Sequence, residues 1–328
     1  MTTLVTGGKG FIGARLVRRL VEKGEPVVCF DLKGTPGRLS DIAERVTFFE
    51  GDASCYEDIE NAIRTRGIDR IAHSVFFSAE ERGVSSRPED AEQLYRQQMI
   101  MNTGTFHVFE AARRAGIRRV MYPSSVQYHG LDEPWTLPEP VTEDSPARPT
   151  SPYGIGKHLG ERLAQEYNRL HGMEIVSIRV PGAYGPGVRI GARGVNLIGT
   201  AGALGQRVDF SYAREQRVVL AHVDDIAEIF ARALLGPRPE HDVYHVGGHY
   251  VSYAEMADIG RKLLPGLNVT FRDDAPLQCS YSIDCSRMTR DLGVTHRSLE
   301  QGYLDLINET RVHHGIDPIE AHAELDTQ

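Results

Sequence analysis

The sequence is poor in cysteine: four occur in 328 residues, and none forms a Cys-x-x-Cys pair. A disulfide framework and a thiolate zinc site therefore lack their usual signatures, and we predict no metal site. The sparse cysteines favour a reducing compartment, so we expect a cytoplasmic protein. The four stand at Cys29, Cys55, Cys279 and Cys285.

Long apolar runs and an excess of basic residues are also missing. No run approaches the roughly 20 apolar residues that cross a bilayer, and a strand pattern starting at residue 3 leaves no room for a signal peptide. The formal net charge is -8, and no basic stripe offsets it. We therefore expect no membrane association and no nucleic-acid partner.

A glycine-rich turn stands between a strand pattern and a helix pattern at the start of the chain. Residues 6–13 read Thr-Gly-Gly-Lys-Gly-Phe-Ile-Gly, with an apolar run before them and apolar residues at helical spacing after them. Gly7 allows the tight turn, Gly10 lets the backbone approach a pyrophosphate, and Gly13 lets helix and strand pack closely. This context predicts a dinucleotide site at a helix N-terminus.

An acidic residue ends the second predicted strand. Asp31 lies about 20 residues beyond the glycines, where a carboxylate accepts hydrogen bonds from the adenosine ribose hydroxyls. The carboxylate would repel a 2′-phosphate, so we predict NAD rather than NADP; the alternative is that Asp31 only begins a turn. Further predicted cofactor contacts follow the glycines or stand at strand ends: Phe11, Ile12, Asp52, Ala53, Val75, Ser124 and Pro181.

Strand and helix patterns alternate from the N-terminus, as in right-handed βαβ units. We predict an α/β fold: a Rossmann-type doubly wound parallel sheet with a smaller C-terminal α/β substrate lobe. The NAD-binding domain would cover residues 1–180, with the segment 206–240 returning to it. The substrate lobe would comprise 181–205 and 241–316, followed by a tail at 317–328.

A tyrosine and a lysine stand four residues apart at the start of a predicted helix. Tyr153 and Lys157 would project from one helix face, and an ammonium beside a phenol favours the phenolate. Such a tyrosine can take a proton from an alcohol as hydride leaves the carbon. Ser125, at the end of the fifth predicted strand, could orient the same substrate oxygen. The spacing alone is also common among surface residues.

These residues together resemble the extended short-chain dehydrogenase/reductases, and more closely the NAD-dependent epimerase/dehydratase group. The resemblance runs from residue 2 to about residue 305, with the motifs in the same order and spacing. The motifs are the glycine turn, Asp31, Ser124-Ser125, Tyr153-x-x-x-Lys157, Tyr184-Gly185-Pro186 and His222-Val223-Asp224-Asp225.

The resemblance implies a Rossmann fold, bound NAD and a catalytic triad. Ser125 would orient the substrate, Tyr153 would act as acid and base, and Lys157 would hold the nicotinamide ribose and lower the pKa of the tyrosine. Tyr153 and Lys157 thereby also count among the cofactor contacts. The resemblance further implies a homodimer through two long helices, here residues 89–115 and 151–171.

The chain departs from the group at positions that bear on the substrate. Dehydratases of the group carry acidic residues directly after the triad serine or threonine, where Val126 and Gln127 stand here. Many epimerases carry an asparagine that meets the substrate diphosphate, where Gly182 and Ala183 stand here. These departures favour a smaller or non-nucleotide compound, although arginines could supply other phosphate contacts. The predicted substrate contacts are Phe77, Ser125, Gln127, Tyr128, Tyr153, Gly182, Arg193 and Arg272.

The predicted function is tyrosine-assisted hydride transfer at a secondary alcohol carbon of a sugar, sugar nucleotide or similar polyol. An epimerase would return the hydride to the other face of the ketone. The alternative is a dehydrogenase that releases NADH and oxidises a small non-nucleotide hydroxy compound. A more distant hypothesis is an NAD-binding regulatory protein without turnover, against which the intact triad argues.

Histidines at four-residue spacing raise the question of a metal site. His241, His245 and His249 would share a face on a helix, but Gly247 and Gly248 predict a strand and turn here. We therefore predict no metal ligation. His222, which begins the His-Val-Asp-Asp motif, is expected to cap a helix and to brace the lobe.

Overall fold

A computed structural model describes residues 1–76, 91–130, 139–187 and 194–320. Its strands are β1 (Thr2–Thr6), β2 (Val27–Asp31), β3 (Thr47–Glu50), β4 (Ile68–His73), β5 (Arg119–Ser125), β6 (Glu174–Val180), β7 (Gly182–Tyr184), β8 (Val208–Asp209), β9 (Arg217–His222), β10 (Val243–His245), β11 (His249–Ser252) and β12 (Val269–Thr270). Its α-helices are α1 (Phe11–Glu22), α2 (Tyr56–Arg66), α3 (Ala91–Gln98), α4 (Gly104–Arg114), α5 (Pro152–His171), α6 (Val223–Leu235), α7 (Tyr253–Leu263), α8 (Ser286–Leu292) and α9 (Leu299–His313).

Seven strands form one sheet in the order β10-β6-β5-β4-β1-β2-β3. Every neighbouring pair in this sheet is parallel. Successive side chains of a strand point to opposite faces, so Leu4 and Val5 of β1 enter different apolar cores. The predicted Rossmann-type parallel sheet is confirmed.

Each face of the sheet is covered by helices. One core contains the buried residues of α1 and α6, and the other contains those of α2 and α4. α1 reaches this arrangement because its apolar residues recur every three or four positions, including Leu16, Val17 and Leu20. Both faces of the sheet are therefore removed from water, as parallel strands require.

A third apolar core lies in the C-terminal half of the chain. It joins α7 and α9 to two small sheets: β11-β9-β7, and the parallel pair β8 and β12. Tyr184, Phe210 and Tyr303 are among its buried residues. This core corresponds to the predicted smaller lobe.

The predicted extents of the two domains need correction in two places. β10 falls in the range assigned to the lobe, yet it pairs with β6 at the edge of the large sheet, because Tyr244 and Val246 are apolar and bury there. Conversely, Val208 and Phe210 lie in the lobe core, although we predicted that their segment returns to the sheet domain. The other boundaries stay predictions.

A π-helical turn at Met99–Thr103 joins α3 to α4 within the helix predicted over 89–115. Such turns are frequent at functional sites. Here the turn carries Ile100 and Met101, which are buried and pack against Val75 and Tyr153. The turn thus supplies two apolar side chains against which the predicted catalytic tyrosine packs. Residues 89 and 90 lie outside the described ranges.

The contact between α9 and β7 leaves no room for a side chain at Gly302. A Cβ added there would lie 2.1 Å from Oη of Tyr184. We therefore expect Gly302→Ala to destabilise the protein by about 1–3 kcal/mol, measured by thermal unfolding. Val312→Ala, at a 62% exposed position of the same helix, is the control.

A second substitution tests the stated cause. The Oη of Tyr184 has no hydrogen-bond partner among the described residues, so Tyr184→Phe removes the clashing atom without breaking a bond. We expect Gly302→Ala with Tyr184→Phe to recover part of the lost stability. An equal loss in the single and double variants would show that this contact is not the cause.

Candidate active site

The glycine turn after β1 has the geometry that the sequence predicts. Gly7 has a φ of +68°, which favours glycine. A Cβ on Gly13 would lie 2.2 Å from the carbonyl oxygen of Gly7, so the helix could not pack this closely with any other residue. At Gly10 the nearest atom to an added Cβ is that same oxygen at 3.1 Å, which leaves its outer side open.

The N-terminus of α1 faces out from this turn. No side chain caps it, and its first turn contains no acidic residue. Its backbone N–H groups and the positive end of its dipole are therefore available to an anion. The residues present fit the diphosphate of a dinucleotide, which the N–H groups from Phe11 to Gly13 would hold.

The acidic residues after β2 and β3 are tied to local backbone. Asp31 accepts hydrogen bonds from the backbone N–H groups of Lys9 and Leu32, both at 2.8 Å, and so links β2 to the glycine turn. Asp52 accepts from the backbone and side chain of Ser54 at 2.8 and 2.7 Å. These bonds orient both carboxylates at the carboxyl edge of the sheet. Their contacts with a nucleoside stay predictions.

Ser125, Tyr153 and Lys157 are brought together where β5 meets the start of α5. Burial raises the pKa of Tyr153 to about 12, and its hydrogen bond with Ser125 lowers the pKa by a smaller amount. The Nζ of Lys157 donates to the carbonyl of Pro123 at 2.7 Å and lies 5.6 Å from the centre of the Tyr153 ring. Three residues from two elements thus share one location.

The charge of Lys157 depends on competing effects. Burial lowers the pKa of Lys157 to about 7, and the charge of Glu161 raises it. Near neutral pH, the protein without its cofactor therefore contains both the ammonium and the neutral amine form of Lys157.

The turn after β5 is held against the start of α5. Ser151 caps α5 by accepting from the N–H of Gly154 and donates to the side chain of Gln127 at 2.9 Å. A Cβ on Gly154 would lie 2.6 Å from the backbone oxygen of Gln127, so glycine is required for this approach. The N–H of Gln127 in turn donates to the hydroxyl of Ser125.

The other predicted cofactor contacts differ in what surrounds them. The hydroxyl of Ser124 donates to the buried carboxylate of Glu161. Val75 packs against Ile100 and Met101, as Tyr153 does. Ala53 and Pro181 are buried near the ends of β3 and β6.

The predicted substrate contacts lie in several environments. The ring of Tyr128 packs flat on the Arg179 guanidinium, with 3.6 Å from ring centre to Cζ. Gly182 is exposed at the start of β7. The side chain of Arg272 is 66% exposed, and its Nε lies 3.5 Å from a carboxylate oxygen of Asp274. The two remaining residues, Phe77 and Arg193, lie outside the described ranges.

An aromatic residue that the sequence did not single out as a contact borders the site. Phe76 is 59% exposed, and its ring stands edge-on to that of Tyr153 with 5.9 Å between the centres. Its place shortly after the end of β4 was the available signal, because ligands bind at the carboxyl ends of parallel strands.

Buried polar residues behind the triad were also missed. Glu161 and Arg179 form an ion pair, and His73 lies between the hydroxyls of Thr6 and Thr105 at 2.8 and 3.2 Å. The signal for Glu161 was its position four residues after Lys157, on the same helix face. The signal for Arg179 was a charge within an otherwise apolar strand.

The spaced histidines have separate partners. His241 bonds to Asp291, His245 lies beside Arg179, and His249 bonds to the backbone of residue 297. Ligand atoms of Glu240, His241 and Asp291 lie within 4.8 Å of one another, which is close enough for them to hold a metal ion together. That the protein binds no metal therefore stays a prediction.

His222 caps α6, as predicted. Its ring accepts from the N–H of Asp224. The neighbouring Asp225 pairs with Arg297, just before α9, at 3.0 Å. The motif thus joins α6 of the sheet domain to the lobe.

Known proteins are similar to this chain in sequence and structure. Residues 3–247 match the NAD dependent epimerase/dehydratase family. A dTDP-glucose 4,6-dehydratase of Streptomyces niveus is 30% identical over 313 residues, which are 90% of this chain and 88% of that protein. A putative UDP-glucose 4-epimerase of Methanocaldococcus jannaschii is 31% identical over 183 residues, only 56% of each chain.

A solved structure extends the likeness to the whole chain. The dTDP-glucose 4,6-dehydratase of Streptomyces venezuelae, with NAD bound, has a TM-score of 0.77 and 25% identity, covering 96% of this chain and 98% of that one. Among the helices in the described ranges, none is long and apolar enough to cross a bilayer.

Burial of Lys157 makes stability depend on pH. The unfolded chain keeps this proton up to a pH of about 10.5 and the folded chain only up to about 7. Stability should therefore rise with pH across that window. We expect Lys157→Met to raise the melting temperature of dinucleotide-free protein, and more so at about pH 6 than at about pH 9.

Lys262→Met, at an exposed position on α7, is the matched control and should show no such dependence. A stability gain from Lys157→Met that is the same at both pH values would mean that the lysine is not desolvated in the folded state.

Proposed function

Because this chain belongs to the NAD-dependent epimerase/dehydratase family, we propose that it transfers hydride between NAD and a secondary alcohol carbon of a sugar nucleotide or similar polyol. The protein is an enzyme, and NAD is its cofactor. The proposal adds the substrate class and the residues that move the proton.

The observation that carries the proposal is the meeting of Ser125, Tyr153 and Lys157 at the carboxyl edge of the sheet. Tyr153 and Ser125 are hydrogen-bonded, so both hydroxyls can reach one substrate oxygen. The glycine turn lies along the same edge, after β1. The predicted phosphate site and the groups that would transfer the proton thus lie at one edge of the sheet, which supports the proposal.

Tyr153 has to lose its proton before it can accept one from the alcohol. Its pKa of about 12 in the protein alone opposes this. Bound NAD would supply the hydride acceptor and a positive charge beside the phenol. The ammonium of Lys157 would favour the phenolate, and Ser125 would orient the alcohol oxygen toward it.

The surroundings of Ser125 favour epimerisation or simple oxidation over dehydration. Val126 is apolar, and the side chain of Gln127 is bonded to Ser151. Neither residue offers the acid that dehydratases of the family carry directly after the triad serine or threonine. The relatives named above include both an epimerase and a dehydratase, so this local difference bears on the choice between them.

We expect Tyr153→Phe to lower turnover by about 10²–10⁴-fold, because the alcohol proton loses its acceptor. The assay follows NADH formation and substrate epimerisation with UDP-glucose, dTDP-glucose and free polyols. Tyr56→Phe, on the distant helix α2, is the control. Undiminished turnover by Tyr153→Phe would rule out the proposed proton transfer.

The fate of the cofactor in the same assay distinguishes the two outcomes. NAD that stays bound after desalting, with epimerised product and no net NADH, would identify an epimerase. NADH that accumulates with one alcohol would identify a dehydrogenase. A protein that binds NAD but acts on no compound in the panel would favour a regulatory role.

We further propose that two copies of the chain associate through α3, α4 and α5. α5 packs beside the other two helices, and apolar side chains on this face are exposed by 39–61%. They are Tyr95, Met99, Phe106, Ile155 and Leu159. A second copy of the same face would cover them, because isologous contacts place equivalent apolar patches together.

We expect the double variant Phe106→Glu with Leu159→Glu to be monomeric, because a charge on each helix would have to be buried in the contact. Size-exclusion chromatography with light scattering gives the mass. Leu277→Glu, at a 63% exposed position in the lobe, is the control and should stay dimeric. A dimeric double variant would place the interface elsewhere.

A further inference from the structure

Glu161 and Arg179 form a bidentate ion pair behind the triad. Nε of Arg179 donates to one carboxylate oxygen of Glu161 at 2.9 Å, and Nη2 donates to the other at 2.8 Å. The side chains of Arg179 and Glu161 are only 3% and 1% exposed. Two charges are stable at this depth only when hydrogen bonds satisfy them.

The third nitrogen of the guanidinium also has partners. Nη1 of Arg179 donates to the backbone oxygen of Glu143 at 3.0 Å. It also lies 3.2 Å from Nε2 of His129 and 3.4 Å from Nε2 of His245. Arg179 is therefore held from both sides, by a carboxylate and by two imidazoles.

The two imidazoles depend on this arginine. Their Nε2 atoms face each other at 3.1 Å. Each Nδ1 lies beside a backbone carbonyl, that of Pro146 for His129 and that of Asp284 for His245, so we assign the hydrogen of each ring to Nδ1. Burial lowers the pKa of both rings, that of His129 to about 4. Both Nε2 atoms then act as acceptors. Nη1 of Arg179 has two N–H groups for three acceptors, so the two imidazoles share the donor that the Glu143 carbonyl does not use.

Glu161 connects this network to the triad in two ways. It accepts a hydrogen bond from Ser124, the residue before Ser125 at the end of β5. It also stands one turn after Lys157 on the buried face of α5, and its charge opposes the effect of burial on Lys157.

The other ionisable groups around Lys157 carry no negative charge near pH 7. Tyr153 lies on the same helix, and the ring of Tyr122 on β5 is 5.0 Å from Nζ. Burial raises the pKa of both phenols, so both are neutral. His73 on β4 is buried with a pKa lowered to about 3, so it is neutral as well. Glu161 is thus the anion that acts on Lys157 within the described ranges.

We propose that Glu161, oriented by Arg179, is a positioning residue for the triad. It holds the end of β5 against α5 through Ser124, and it supplies the negative charge that favours the ammonium form of Lys157. The inference rests on the proposed function, in which that ammonium helps Tyr153 to give up its proton.

Glu161→Gln tests the proposal because it removes the charge and keeps the shape. We expect kcat to fall by about 10–100-fold, as for a small misplacement of catalytic groups, with the KM for NAD little changed. The low-pH limb of kcat/KM should move to higher pH, because a weaker ammonium leaves the phenol proton more tightly bound. Glu166→Gln, which breaks an exposed pair with Arg169 on the same helix, should change neither quantity.

A second measurement needs no substrate. The ultraviolet absorbance of the phenolate, taken as the difference between each protein and its Tyr153→Phe counterpart, reports the titration of Tyr153 in NAD-loaded protein. We expect Glu161→Gln to raise this apparent pKa. Such a shift in a protein that turns over neither a sugar nucleotide nor a polyol would support the positioning role and overturn the proposed function. Normal kcat and an unshifted titration would overturn the positioning role alone.

Ser124→Ala provides the test if Glu161→Gln does not fold. It removes the bond between β5 and Glu161 and leaves the ion pair whole. We expect a several-fold lower kcat with NAD binding retained. An unchanged kcat in this variant would overturn the role of Glu161 in holding the end of β5, because the bond through Ser124 would then be holding nothing that the reaction uses.

Discussion

Parallel pairing of the seven strands decides where the chemistry of this protein lies. Parallel strands all end at the same edge, so residues distant in the chain meet there without any long-range signal of their own. The glycine turn follows β1, Asp31 ends β2, Val75 follows β4, and Ser125 ends β5. Moving β1 or β5 away from β4 would separate the glycine turn from the hydroxyl group of Ser125.

The site places a cation where water is scarce. Desolvation disfavours both the ammonium of Lys157 and the phenolate of Tyr153, so the protein alone keeps Tyr153 neutral near pH 7 and lowers the pKa of Lys157 to about 7. In the mechanism proposed above, the positive charge of bound NAD would favour the phenolate of Tyr153, so proton transfer would depend on the binding of the cofactor.

Much of this arrangement could be predicted from the sequence, because it depends on local patterns. The glycine turn, the strand ending in Asp31 and the Tyr153–Lys157 spacing each combine a periodic apolar pattern with a residue of distinct chemistry. The helix that carries Tyr153 was predicted to begin at residue 151, and Ser151 is its N-cap. Local physics is sufficient for such features.

The features that sequence reasoning missed depend on partners distant in the chain. Arg179 finds its acceptors at Glu161, His129 and His245, which belong to three other segments. β10 is three residues long and is assigned to the large sheet only by its edge pairing with β6. The sequence pattern around residue 243 is irregular and does not indicate which apolar core will bury this segment, since Tyr244 could pack in either core.

The arginine held between a carboxylate and two imidazoles has a consequence for how the sequence can change over time. Each of its three nitrogens already has an acceptor, and each histidine nitrogen already has a partner. A substitution at one of these positions leaves another buried polar atom without its bond. The effects of substitutions at these positions therefore depend on one another. A change at His129, His245 or Arg179 is tolerated only when the others change with it. These three buried positions beside the triad are therefore constrained together, although none of the three residues contacts the substrate in the mechanism proposed above.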